Sequence, residues 1–181
     1  MSSEIKGKFS LWMVLVGPAR HLYRALLTKV RYTDRIAVAT ATSGIVASIM
    51  PGGRTAHSRF KIPIKLQNNS ICNFTKQNGT ATLLREASLI IWDEIAMTQR
   101  QAVETLDRSL RDITGCDLPF GGKVIVFGGD FKQVLPIVPR GTRAQICDPT
   151  LLQSYIWDDI KIIRLKQNMR ARMMYGSRIF Y

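Results

Sequence analysis

An α/β domain with a mostly parallel sheet flanked by helices is the fold class this 181-residue sequence predicts, and three observations carry it. Four short apolar runs alternate with helix-like stretches. The runs are apolar nearly throughout, rather than at every second residue, as expected of strands covered on both faces. The 46% hydrophobic content with 22% charge suits a globular chain with one core, because a disordered chain lacks the apolar surface that offsets its ordering entropy.

The strands are expected at residues 9–16, 36–41, 88–92 and 123–127, each rich in β-branched or other apolar side chains. After the first comes "HLYRALL", a helix pattern that follows Gly17-Pro18 almost at once. The clearest helix is "TQRQAVETLDRSLRDITG", where Val103, Leu106, Leu110 and Ile113 share one face. Thr98 and Gln101 supply a T-x-x-Q capping box, and Gly115 follows the end. Residues 67–80, "QNNSICNFTKQNGT", read as a polar loop or surface excursion, and a further apolar run covers 160–163. The organisation expected is an N-terminal segment at 1–8, one domain at 9–171 and a basic, aromatic tail at 172–181.

Lys and Arg number 26 against 13 acids, a net charge of +13, and a positive field of that size favours polyanions, chiefly nucleic acid. Cys72, Cys116 and Cys147 are odd in number and far apart, so neither a disulfide framework nor a zinc site is expected. With only His21 and His57 in the chain, no His/Cys ligand cluster can be assembled. No apolar run reaches the roughly 18–20 residues of a membrane-spanning helix. Lys6 and Lys8 before "FSLWMVLVGPA" imitate a secretory signal, but a buried first strand is preferred because helix and strand patterns resume without a linker.

In a parallel sheet, ligands sit beyond the carboxyl ends of the strands. Those ends carry "GPARH", "TSG", "DEIAM" and "GGDFKQ". In "LIIWDEIAM" an apolar strand delivers two adjacent acids, and burying either charge alone is costly, which points to a cation between them and a ligand. Asp93 fits a Mg²⁺ ligand and Glu94 an acid that orients or deprotonates an attacking water. The equal alternative is that Asp-Glu simply opens the next helix, where acids are favourable. "VIVFGGDFKQVLPIV" adds a Gly-Gly turn at Gly128-Gly129, Asp130, and Gln133, whose amide suits a γ-phosphate and its attacking water. A hairpin turn with a surface Gln is the other reading. Arg170 in "LKQNMRA" suits phosphate neutralisation or, as most lone arginines do, a solvated surface.

Taken in order, "ATATSGIVASIMPGGRTAHSRFKIPI", "LIIWDEIAM", "VIVFGGDFKQVLPIV" and "LKQNMRA" resemble the Pif family of superfamily 1 DNA helicases, including the Helitron-associated proteins, over about residues 9–171. The resemblance implies a RecA-like P-loop NTPase domain, with ATP and Mg²⁺ as cofactors and DNA, single-stranded and forked, as partner. It implies 5′-to-3′ unwinding linked to repair, recombination and telomere maintenance, in the nucleus or the mitochondrion. By this likeness Asp93 holds Mg²⁺, Glu94 is the catalytic base, Gln133 senses the γ-phosphate, and Arg170 is an arginine finger. Gly17, Pro18, Gly129 and Asp130 fall at the nucleotide. The family usually has Arg where Lys132 stands, which keeps charge and loses bidentate geometry. Thr42, Ser43, Thr55, His57 and Arg59 correspond to DNA-contacting positions and Phe60 to a base-stacking ring. Without the family, Ser43 is equally a helix cap and Phe60 equally a core residue.

One family element is missing. A Walker A loop, G-x-x-x-x-G-K-[ST], turns backbone N–H groups toward phosphates, while its Lys reaches them and its hydroxyl binds Mg²⁺. Family members carry a loop resembling "GPGGTGKT" before a helix resembling "FLYRALL". Here "GPARHLYRALL" keeps both flanks and loses about four residues, including the Gly-Lys-Thr core. Neither Gly7-Lys8, before the first strand, nor Lys123, at the wrong end of the fourth, replaces it. Little ATPase activity is expected, and the sequence up to Tyr181 leads to the further expectation of a single RecA-like unit without a second.

Overall fold

Strand β4 (Ala87–Asp93) sets the layering by simple alternation. Leu89 and Ile91 join one apolar cluster, and Ile90 and Trp92 join the other, on the opposite face of the sheet. Both faces need cover, so the strand is apolar throughout. The computed structural model describes residues 11–15, 19–129 and 150–165.

Within them lie β1 (Leu11–Leu15), α1 (Arg20–Tyr32), β2 (Ile36–Ala41), α2 (Gly44–Ser48), β3 (Arg54–Thr55) and α3 (Ala56–Phe60). These are followed by α4 (Gly79–Glu86), β4, α5 (Arg100–Thr114), β5 (Ile125–Gly129) and β6 (Ile160–Arg164). The strands form one six-stranded sheet in the order β3-β2-β4-β5-β1-β6, and each pair is parallel. Tyr23 and Leu27 of α1 and Ala47 of α2 cover one face, against Ala37, Ala39, Leu89, Ile91 and Val126. Residues of α3, α4 and α5 cover the other, where Trp92 packs between Phe60 and Phe127 in tilted contacts at ring distances of 5.5 and 6.4 Å. The α/β expectation with its flanked parallel sheet therefore holds.

Helix α5 buries Val103, Leu106, Leu110 and Ile113, and Gly115 ends it in the left-handed conformation at φ 65°. The expected capping box does not form. The helix starts at Arg100, Gln99 caps it without a side-chain bond, and the Thr98 hydroxyl lies 2.7 Å from Thr42 Oγ1 instead. The helix begins one residue later than the box requires, with Gln99 in the N-cap position, so the Thr98 hydroxyl turns to a tertiary partner. Helix α5 also carries two buried acids. Asp107 accepts from the Phe120 N–H (2.6 Å), the Tyr155 hydroxyl (2.7 Å) and the Arg111 guanidinium, and Glu104 accepts from Ser154 (2.8 Å) and Arg100. These bonds tie the segment before β6 to α5. Cys72 and Cys116 are free thiols, and burial pushes the Cys72 thiol up to about 11. Among the described residues no helix is long and apolar enough to cross a membrane.

Candidate functional site

Parallel pairing brings the carboxyl ends of the central strands level. Ala41 faces Asp93 across β2 and β4, and Leu15 faces Gly129 across β1 and β5. Asp93 closes β4 half-buried, and Glu94 follows with φ 57° and ψ 35°, a left-handed turn into the short helical turn Ile95–Met97. That reversal lifts the glutamate off the strand axis, so the two carboxylates point to different partners.

Asp93 Oδ1 accepts from the Tyr23 hydroxyl at 3.1 Å and from the Glu94 N–H at 2.9 Å. Burial raises the Asp93 carboxyl above its ordinary value. The Glu94 N–H and the Tyr23 hydroxyl pull it back, the Glu94 charge raises it, and the Arg20 charge lowers it. Burial wins. Tyr23 is only 1% exposed, and its phenol is pushed far above the usual range by burial first and by Asp93 second. Gly128 makes this contact possible, because a Cβ there would lie 1.6 Å from the Tyr23 hydroxyl and 2.5 Å from Asp93 Oδ1. Gly128 and Gly129 are thus the last residues of β5, where the sequence suggested a turn. Gly129 is tight as well, with Ala96 N 3.2 Å from an added Cβ.

Glu94 Oε2 accepts the Ser43 N–H at 2.9 Å, and the Glu94 carbonyl accepts the Thr42 hydroxyl at 3.0 Å. The Ser43 hydroxyl caps α2 by accepting from Val46 N at 3.3 Å. Of the positions expected to meet DNA, Thr42 and Ser43 are therefore engaged within the site. Thr55 and Arg59 are half-buried and His57 is exposed on the β3–α3 corner. Arg59 donates to the Gly52 carbonyl at 3.0 Å, while its charge is disfavoured by burial and by Arg54. Phe60 requires a correction: it is fully buried against Trp92 and offers no ring for a base. An aromatic beside an apolar strand serves the core before it serves a ligand.

Asp93, Glu94 and Gly129 thus meet at one sheet edge, while Gly17, Pro18, Asp130, Lys132, Gln133 and Arg170 lie outside the described residues. Sequence reasoning missed Tyr23 and Thr98, which reach the site only through tertiary pairing. The adjacent glycines that close an apolar strand were the one local signal of the close approach at Gly128.

The PIF1-like helicase family pattern matches residues 16–177. The chain belongs to the PIF1-like helicase family. The ATP-dependent DNA helicase Pif1 of Psychrobacter sp. is 31% identical over 147 residues, covering 79% of this chain and 22% of that protein. The ATP-dependent DNA helicase PIF1 of Trypanosoma brucei brucei is 33% identical over 157 residues, covering 86% and 15%. Bacteroides Pif1 bound to ssDNA superposes with a TM-score of 0.73 at 25% identity, over 90% of this chain and 39% of that one. The Bacteroides Pif1 complex with ADP-AlF3 and ssDNA gives 0.72 at 25% identity, over 92% and 40%. The PIF1-like chain therefore spans about a fifth of the first curated relative and two-fifths of these structures. Its fold is the RecA-like one of its structural neighbours, and its relatives are enzymes by name.

The donor set divides sharply when tested against ATP and Mg²⁺. Asp93 and Glu94 suit a hydrated cation and a water, since Mg²⁺ commonly takes one or two carboxylates plus substrate phosphates. The sequence before α1 lacks the Gly-Lys-Thr core of a phosphate cradle, and no described residue stands in for it. Only Val16, Gly17, Pro18 and Ala19 stand between β1 and α1, and none carries an ammonium or a hydroxyl. Helix α1 begins with Ala19 as an uncapped N-cap and without an acid in its first turn, and Arg20 opens it on the surface. Lys123 offers no replacement, because its ammonium donates to the Arg85 carbonyl at the amino end of the sheet.

Proposed function

We propose that this chain descends from an ATP-dependent, 5′-to-3′ DNA helicase of repair, recombination and telomere maintenance, and that DNA binding is the activity it retains. The four-residue connection between β1 and α1 carries the proposal. An eight-residue cradle cannot be accommodated there, while the acids that would serve it remain at the end of β4. Loss of one preorganised donor to a developing anion costs about 10²- to 10³-fold in rate, and the shortened loop lacks several. ATP turnover by the chain is accordingly expected to be negligible.

DNA binding draws support from the +13 charge and from the similarity to Bacteroides Pif1, which is bound to ssDNA in its structures. Arg54 and Arg59 on the β3–α3 corner supply the basic groups of the proposed surface, and His57, whose charged form burial disfavours, lies beside them. Residence in the nucleus, or secondarily the mitochondrion, belongs to the same proposal. A second reading, an ATP-hydrolysing helicase with Mg²⁺ on Asp93, is favoured by the intact Asp93-Glu94 pair alone.

Fluorescence anisotropy with a labelled single strand and with a fork, from 50 to 300 mM salt, tests the binding. Counterion release predicts an affinity that falls steeply with salt, and Arg54→Gln and Arg59→Gln should each lower the slope by about one. A flat salt dependence would favour a protein-interaction module instead.

A further inference from the structure

The Thr42 hydroxyl is spent. Its oxygen lies 3.0 Å from the Glu94 carbonyl, 2.7 Å from Thr98 Oγ1 and 3.2 Å from the Trp92 indole nitrogen that donates to it. A threonine hydroxyl has one hydrogen and two lone pairs. The indole can only donate and the carbonyl can only accept, so the Thr42 hydrogen goes to Glu94 and Thr98 must donate to the second lone pair. The Asp93 carbonyl, at 3.4 Å, competes for that same hydrogen. Nothing is left for a phosphate.

Its position gives this saturated hydroxyl a purpose. Glu94 sits at φ 57° without being glycine, a conformation that L side chains rarely adopt and that needs surrounding structure to persist. Two consecutive residues hold it at both ends: Thr42 through the carbonyl, which also accepts the Met97 N–H at 3.1 Å, and Ser43 through its N–H on the carboxylate at 2.9 Å. Trp92 and Thr98 are buried behind Thr42 and fix the hydroxyl in turn.

We propose that Thr42 is the positioning residue of Glu94: its hydroxyl holds the glutamate backbone in the left-handed conformation and so aims the carboxylate at the sheet edge. The inference rests on reading Glu94 as the hydrolytic acid of the ancestral site. Thr42 thereby serves that acid, and the β2–α2 corner and the acid move as one unit.

Amide hydrogen exchange by NMR on the full chain tests this without any need for turnover. The Ser43 amide should be protected in the wild type and in Thr42→Ser, which keeps the hydroxyl. It should exchange about tenfold faster in Thr42→Val and in Glu94→Ala, the scale of one lost hydrogen bond. Thr98→Val should leave Ser43 protected, because the bond from Thr42 to Glu94 survives. A merely structural Thr42 would instead loosen Ser43 together with the β4 amides of Ile90 and Ile91. If Thr42→Val does not fold, Thr42→Ala gives the same readout with less added volume. Protection of Ser43 that persists in a folded hydroxyl-free variant, or that Thr42→Ser fails to restore, overturns the proposal. So does Glu94→Ala leaving Ser43 unchanged. The hydrolytic reading of Glu94 fails separately, if ATP turnover is present and survives Glu94→Gln.

Discussion

Adding one methyl group at Gly128 should unseat α1 from the sheet. The Cβ would start 1.6 Å from the Tyr23 hydroxyl and 2.8 Å from its ring carbon Cζ, so the phenol must retreat by about 2 Å to reach ordinary contact distance. Tyr23 is 1% exposed and, with Leu27, is the buried anchor of α1, so a shift of that size moves the helix. Overpacking of this kind costs about 1–3 kcal/mol. Losing the hydroxyl's bond to the Asp93 carboxylate adds about 1.5–3 kcal/mol. Gly128→Ala should therefore destabilise by about 2.5–6 kcal/mol, a large part of the roughly 5–15 kcal/mol of a typical domain. Urea unfolding followed by far-ultraviolet circular dichroism measures it. Gly79→Ala is the control, because a Cβ there meets nothing within 4 Å, and it should stabilise by about 0.4–1 kcal/mol. In a double-mutant cycle, Tyr23→Phe should relieve part of the Gly128→Ala cost, with a coupling of about 0.5–3 kcal/mol. A Gly128→Ala change below about 1 kcal/mol, or strict additivity with Tyr23→Phe, would refute the reasoning.

Asp93→Asn should stabilise the chain at neutral pH, since the amide oxygen still accepts from Tyr23 and Glu94 while the buried charge disappears. The sign follows from linkage: a carboxyl raised above 3.8 in the folded state costs stability as pH rises past 3.8, and the cost is complete above its folded value. The gain from Asp93→Asn should be absent near pH 3 and grow through that window, as thermal midpoints across pH would record. Asp107→Ala should cost about 3–5 kcal/mol in urea unfolding, because the Phe120 N–H, Tyr155 hydroxyl and Arg111 guanidinium lose their shared buried acceptor.

The strands and α5 were legible because their signal is local. Nearly continuous apolar runs at residues 36–41 and 88–92 suit elements covered on both faces, and the stripe from Val103 to Ile113 repeats at helical spacing. Strand β3 was not legible, since two residues, Arg54 and Thr55, carry no period and owe their conformation to Thr40 and Ala41 beside them. The acid pair was visible for the same reason as β4. Its surroundings were not: Tyr23 reaches Asp93 across 70 residues and Thr42 reaches Glu94 across 52, and no spacing rule joins them. Glu104 and Asp107 look like solvent-facing charges on a helix until Ser154 and Tyr155 arrive to bury them. Phe60 had two open readings, and burial against Trp92 decided for the core.

Steady-state ATP hydrolysis by the 181-residue chain, with Mg²⁺ and saturating single-stranded DNA, tests the central claim most directly. A chain with its acids in place and its phosphate cradle gone should turn over no faster than Glu94→Gln, while still binding the strand. Turnover that depends on DNA and is abolished by Glu94→Gln would contradict the account, for it would mean that a four-residue connection holds the phosphates after all.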